Sequence, residues 1–340
     1  MLTASLVLSL TLTLAAQAQN SDVKSLLRTG QSALDEGDFL RAASSFEAAR
    51  QLSPESLEAN RGLLLAYLQS GRLRDAENVG LFAIARWPKD PQLQHWTGLV
   101  YFKEGRNAKA LELLQRAERL DGSGDDIHFD IALVSLAENQ YTEAAQELET
   151  VVKLDPKAAL AHVLLGRAYQ NTNRTVQAID QFHTALTLEP NIPLGHYHLG
   201  FAYASLGRNQ EAIAEYEKEL VHSPGNASAL YQLGHCLLQA GEYKSAATFL
   251  KKAVAVDSQN LDSSYDLGKA LLLQGDAEAA VPALRRAVEL KPADPGPHYQ
   301  LARALEKIGR KEEAQQEFQT FSSLKKNQPV TGGMAAGPIQ

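Results

Sequence analysis

With 340 residues, 44% of them hydrophobic, and a formal net charge of −7, the chain is neither a disordered polyelectrolyte nor a basic nucleic-acid binder. A single cysteine, Cys236, excludes an intrachain disulfide framework. Set between His235 and Leu237, it reads as a small buried hydrophobe.

The N-terminus differs from the rest. Leu2 to Ala16 carry no charge and are rich in leucine, and Ala16-Gln17-Ala18 has the A-x-A form of a cleavage site. The run is shorter than the roughly 20 apolar residues of a spanning helix, so it predicts a signal peptide over residues 1–18 and export to the periplasm or the exterior. No cysteine follows it, which excludes a lipoprotein anchor.

From Val23 a 34-residue period runs to Gln328 without insertion or deletion. The nine units are 23–56, 57–90, 91–124, 125–158, 159–192, 193–226, 227–260, 261–294 and 295–328. Position 20 is alanine in every unit, from Ala42 to Ala314. Position 8 is glycine in six units, Ala132 and Ala302 in two, and Leu64 in one. Small residues at both positions imply two helices crossing closely. Position 15 is glycine except at Asn139 and Asn173, as a left-handed turn residue requires. Proline at position 32 in six units ends the second helix. Apolar residues at positions 4, 7, 8 and 11 form a helical stripe.

With a small residue at 8, aromatic or leucine at 11 (Tyr67, Tyr101, Tyr169, Tyr203) and at 24 (Phe46, Phe182, Tyr216, Phe318), alanine at 20 and proline at 32, the chain resembles the tetratricopeptide repeat family over residues 23–328. The resemblance implies an all-α, right-handed α-solenoid of nine helix-turn-helix repeats. It also implies a non-catalytic scaffold without cofactor, holding peptides or helices in a concave groove. The lysine and asparagine at positions 5 and 9 with which some relatives hold chaperone C-termini occur together in no repeat.

Several local features depart from the pattern. Gly80, where an aromatic is usual, predicts a loosely packed second helix, and Glu219 replaces a small residue at position 27. Pro282 should delay or kink its helix. The polar last helix, KEEAQQEFQTFSSLKK, suits a solvent-facing terminal repeat, and residues 329–340 read as a disordered tail.

The stretch His196-Tyr197-His198 invites a metal reading, but residues two apart point to different sides of a helix. His128, His162, His196 and His298 all fall at position 4, a packing position, and project in parallel, so no metal site is expected. Asp121 to Asp125 lacks the glycine and terminal acid of a calcium loop. Asn173-Arg174-Thr175 and Asn226-Ala227-Ser228 match the glycosylation sequon, a short pattern that arises by chance. No catalytic triad, phosphate loop or acid pair is present, and no enzyme activity is expected.

The face carrying positions 2, 5, 9 and 12 of the first helices lines the groove in this family. In repeats 2–4 it is apolar, with Leu65, Leu68, Leu99, Phe102, Phe129, Leu133 and Leu136. In repeats 6–9 position 5 is Tyr197, Tyr231, Tyr265 and Tyr299, beside a cationic set at position 9 of His235, Lys269 and Arg303, with Arg167 equivalent in repeat 5. The expected partner is a protein or peptide segment with an apolar end and an acidic end. Two alternatives are homo-oligomerisation through the apolar groove of repeats 2–4 and glycan binding by the tyrosines.

Overall fold

The protein is described by a computed structural model covering residues 20–121 and 124–327. The expected signal peptide and tail lie outside the described residues. Among those residues there are helices and turns and no strand.

The chain forms two compact units, divided between Thr172 and Asn173. The first holds α1 (20–35), α2 (Phe39–Leu52), α3 (Leu57–Gln69), α4 (Leu73–Arg86), α5 (Pro91–Lys103), α6 (Asn107–Leu120), α7 (Asp125–Ala137), α8 (Tyr141–Leu154) and α9 (Ala159–Asn171). The second holds α10 (Thr175–Leu188), α11 (Gly195–Ser205), α12 (Asn209–His222), α13 (Ala227–Gln239), α14 (Tyr243–Val256), α15 (Leu261–Gln274), α16 (Ala277–Leu290), α17 (Pro295–Lys307) and α18 (Lys311–Asn327). In each unit successive helices pack on one another. First helices also meet the next first helix, as α3 meets α5 and α13 meets α15.

The hairpin crossing follows from the small residues. Eight of the nine position-20 alanines have no exposed surface, and Ala314 has 3%. A Cβ on Gly234 would sit 2.6 Å from the Leu250 side chain and 3.2 Å from its backbone nitrogen. One on Gly200 would meet Tyr216 at 2.9 Å and the Ala212 carbonyl at 3.2 Å. The turn between the helices of each pair has a left-handed residue, Asn139 (φ 58°), Asn173 (φ 60°) or a glycine. The residue at position 34 caps the following first helix where its chemistry allows. Ser56, Asp90, Asn226, Asn260 and Asp294 each accept a backbone amide of the first turn.

The three irregular positions behave as follows. Gly80 is not a loose point: Thr97 fills the space, and a Cβ on Gly80 would lie 2.6 Å from Thr97 Oγ1. The glycine brings α4 close to α5 in place of an aromatic. Helix α11 starts only at Gly195, after Leu194 at φ 61° without a side-chain cap. Buried Glu219 supplies the missing acceptor, taking the Tyr197 amide at 3.3 Å and the Asn226 side chain at 3.2 Å. Pro282 neither delays nor shortens α16, which has the same 14 residues as α14. It removes one intrahelical bond without ending the helix.

Because the crossing leaves no room beside Leu250, Gly234→Val should destabilise the protein by roughly 1–3 kcal/mol through overpacking. Urea midpoints together with hydrogen exchange, fastest around α13 and α14 and least changed in the first unit, would show it.

Candidate functional site

In the first unit, Leu65, Leu99, Phe102, Phe129, Leu133 and Leu136 are half-buried. Leu68 is not part of this surface: at 1% exposure it belongs to the core with Leu64, Tyr67 and Val100. Position 12 turns inward there because α3 also packs on α5. A cleft of about 540 Å³ opens on the first-helix face, lined by Leu27, Gln31 and Leu34 of α1, Arg61 and Leu65 of α3, and Trp96 of α5. The apolar zone therefore extends into repeat 1, and the sequence reading missed Leu27, Leu34 and Trp96. Their signal was available, since Leu27 and Leu34 occupy positions 5 and 12. Arg61 brings no free charge, being ion-paired with buried Asp90 at the cap of α5.

In the second unit, Tyr197, Tyr231 and Tyr265 are half-buried and Tyr299, in the last repeat, is 39% exposed. Tyr197 hydrogen-bonds Ser228 and Tyr265 hydrogen-bonds Gln300, each in the following repeat. Burial raises the phenol pKa of Tyr197, Tyr231 and Tyr265. These rings are mortar between repeats as well as surface. His235 Nδ1 lies 2.7 Å from the buried carboxylate of Asp266. Lys269 is half-buried, and the Arg303 guanidinium stands 5.8 Å from the Tyr299 ring centroid. Asp262 stands close enough to raise His235, so acids accompany these cations. Arg167 is exposed on α9 of the first unit. Buried Cys236 has its thiol pushed up to about 11 by desolvation, which keeps it protonated and unreactive.

The seams between repeats carry polar devices that the sequence reading had classed as plain packing. Position 4 reaches back to the carbonyl of the preceding repeat's proline: Asn60 to Pro54 at 3.1 Å, Gln94 to Pro88 at 3.1 Å, His162 to Pro156 at 3.1 Å and His298 to Pro292 at 2.9 Å. Within their own repeat, three of the histidines also meet a glutamate 19 residues on, on the second helix of the hairpin. His128 pairs with Glu147 and His196 with Glu215, both at 2.6 Å, and His298 with Glu317 at 2.5 Å. The tyrosines at position 11 bond one repeat back, Tyr67 to Glu47, Tyr169 to Glu149 at 2.8 Å and Tyr203 to His183 at 2.8 Å. Arginines cover three such rings, Arg72 over Tyr67, Arg106 over Tyr101 and Arg208 over Tyr203, at 4.2–4.4 Å.

Among the described residues one cluster, Glu118, His128 and Glu147, brings three possible metal ligands within 4.8 Å. Its histidine–glutamate half repeats the geometry of His196–Glu215 and His298–Glu317. That recurrence assigns its histidine–glutamate half to the packing of the hairpin. Asn226, of the second sequon, caps α13 and donates to Glu219, so its side chain is engaged in the fold.

Tetratricopeptide repeat family profiles match residues 27–91, 65–125, 197–260 and 231–296, and a second profile of the same description matches 135–196 and 271–329. The chain belongs to the tetratricopeptide repeat family. The solved structures similar to it include YrrB, described as a TPR protein with an unusual peptide-binding site. That likeness has 19% identity and a TM-score of 0.51, covering 54% of this chain and 95% of that one. The Cut9–Hcn1 hetero-tetramer of the APC/C has 16% identity and a TM-score of 0.53, over 78% of this chain and 52% of that one. At these identities the likeness concerns the fold. No curated protein matches the chain by sequence. As in the family at large, the repeats form a scaffold suited to protein–protein interaction. No helix of the described residues is long and apolar enough to cross a membrane.

The seam bonds predict two measurable effects. His298→Leu strips the Pro292 carbonyl and Glu317 of their partner and should cost roughly 1–3 kcal/mol in denaturant unfolding. The hydrogen bond that His235 donates to Asp266, opposed by burial, raises the His235 pKa above its ordinary 6.5. The stability from this pair is therefore complete below 6.5 and lost as pH rises through the raised value. His235→Gln should flatten that slope in urea midpoints followed across the same window.

Proposed function

We propose that this chain is a non-catalytic, exported scaffold that holds protein or peptide segments on its first-helix faces, within an envelope assembly or secretion complex. The observation that carries the binding reading is the apolar cleft of about 540 Å³ on the first unit, floored by Leu27, Leu34, Leu65 and Trp96. An apolar recess rimmed by polar side chains such as Gln31 and Gln92 suits leucine- or phenylalanine-like anchors. The same fold hosts a peptide-binding site in YrrB, by that structure's description. On the second unit, Lys269 and Arg303 offer charge for acidic groups of a partner, and Asp262 and Asp266 beside them moderate the field. The half-buried rings of Tyr197, Tyr231 and Tyr265 leave little open face for sugar stacking. Export rests on the uncharged leucine-rich run and the A-x-A site before Gln19.

Partners captured from the native host by the parent protein should be lost or strongly reduced with Leu65→Asp, mainly through faster dissociation, because desolvated anchors carry most of the energy. Arg303→Glu should act on association rate and its salt dependence. Retention of the same partner by both variants would remove the first-helix face as the site. Protein purified from that host should lack residues 1–18 by intact mass; recovery of the full-length mass would refute export by cleavage.

A further inference from the structure

Repeat 8 departs from the chain's own seam pattern at several places at once. Position 4 is Ser264 where six other repeats carry asparagine, glutamine or histidine and two carry leucine, and position 23 is Ala283 where three repeats have the glutamate that pairs with the histidine. Position 11 is Leu271 where four have tyrosine, and position 16 is Asp276 where arginine covers that ring elsewhere. Repeat 7 lacks the same tyrosine, arginine and glutamate but carries the larger Leu230 and Phe249 at positions 4 and 23, so the space in repeat 8 is opened by the small Ser264 and Ala283. A cleft of about 580 Å³ is left between α14 and α16, with α15 beneath it.

Its chemistry is uneven. The floor and walls are apolar, with Ala247, Val254, Leu267, Leu271, Pro282 and Ala283. Lys244, Lys251 and Arg286 line it, against one acid, Asp276, whose carboxylate is occupied as the cap of α16. Arg286 is shared with Glu289 and the Ser258 carbonyl, but neither lysine has an ion-pair partner among the described residues. At the bottom, Ser264 is fully buried, and its Oγ has no hydrogen-bond partner among those residues. A buried hydroxyl left so costs free energy.

We propose that this cleft is a second binding site, on the opposite side from the tyrosine face, for a short acidic peptide segment that seats an apolar side chain against Leu267 and Leu271. The lining of α14 runs from Lys244 to Val254. At about 1.5 Å per residue this is about 15 Å, the reach of four or five extended residues. Lys244 and Lys251 then meet carboxylates flanking the anchor. The charge complementarity favours an acidic segment over a neutral one. The proposal does not depend on the first-helix cleft.

The probe is a fluorescein-labelled pentapeptide with a central leucine flanked by glutamates, titrated with the full chain by fluorescence anisotropy. A matched peptide with lysines in place of the glutamates serves as the comparison. The glutamate peptide should bind saturably and more weakly as salt rises, and the lysine peptide should not bind. The double substitution Ser264→His with Ala283→Glu rebuilds the pair seen at His298–Glu317 and fills the cleft. It should weaken binding about tenfold or more while the urea midpoint is retained or raised. Leu271→Tyr fills the same space and carries the comparison should the double variant fold poorly. Lys251→Glu should weaken binding comparably, and Lys103→Glu on the first unit should not. The proposal is overturned if the filled variants bind the peptide as the parent does, if the lysine peptide binds equally well, or if no saturation is reached by about 1 mM.

Discussion

The helix crossing inside each hairpin is the constraint from which the other features follow. Alanine at position 20 brings the two backbones so close that glycine or alanine answers it in eight repeats, and in repeat 2, where Leu64 stands instead, position 24 is reduced to Gly80. Gly200 has the Ala212 carbonyl within 3.2 Å of where a Cβ would stand. At this separation the large residues at position 24, such as Tyr216 and Phe182, are fully buried against the opposing helix. The hairpin then has a fixed width, and equal width is what allows one unit to stack on the next. The left-handed residue at position 15 is the second condition, since it reverses the chain without a longer loop.

These two features were legible in the sequence because they are intrinsic to single residues. A side chain that must be absent, or a backbone that must turn left, leaves its mark at one position and recurs with the period. The seams were less legible because they depend on pairs. Histidine at position 4 read as packing when taken alone; its meaning comes from the glutamate 19 residues later in repeats 4, 6 and 9. The signal was present as variation within the chain itself. Where position 4 is Ser264 or Leu230, position 23 is Ala283 or Phe249 and not an acid. Counting recurrence position by position averages such pairs away.

The irregular positions show why residue type is a poor guide without its neighbour. Gly80 read as a void is a close approach, because Thr97 grows into the space that an aromatic fills elsewhere. Glu219 read as a misplaced bulky residue is the acceptor that α11 lacks at its own start. In both cases the departure and its compensation lie on different helices, 17 and 22 residues apart. The candidate surface was readable to the same limited degree. The helical period gave the right face, but Leu68 sits within the core because contact with the next first helix closes over it.

A repeat array distributes stability through its seams, so a seam stripped of its polar pairs is costly unless something else compensates. Most seams here have at least one such pair: position 4 to a proline carbonyl, or a position-11 tyrosine to the repeat before. The seam under α15 has neither, being joined instead by His235 and Asp266, and yet its cleft surface is not simply apolar. It keeps two lysines without ion pairs among the described residues and a buried hydroxyl without a partner. The buried Ser264 hydroxyl carries a desolvation cost that a plain hydrophobic seam would avoid, while the exposed Lys244 and Lys251 keep their hydration. Retaining them next to an open apolar floor is the pattern of a surface shaped to receive something polar at its edge and apolar at its centre.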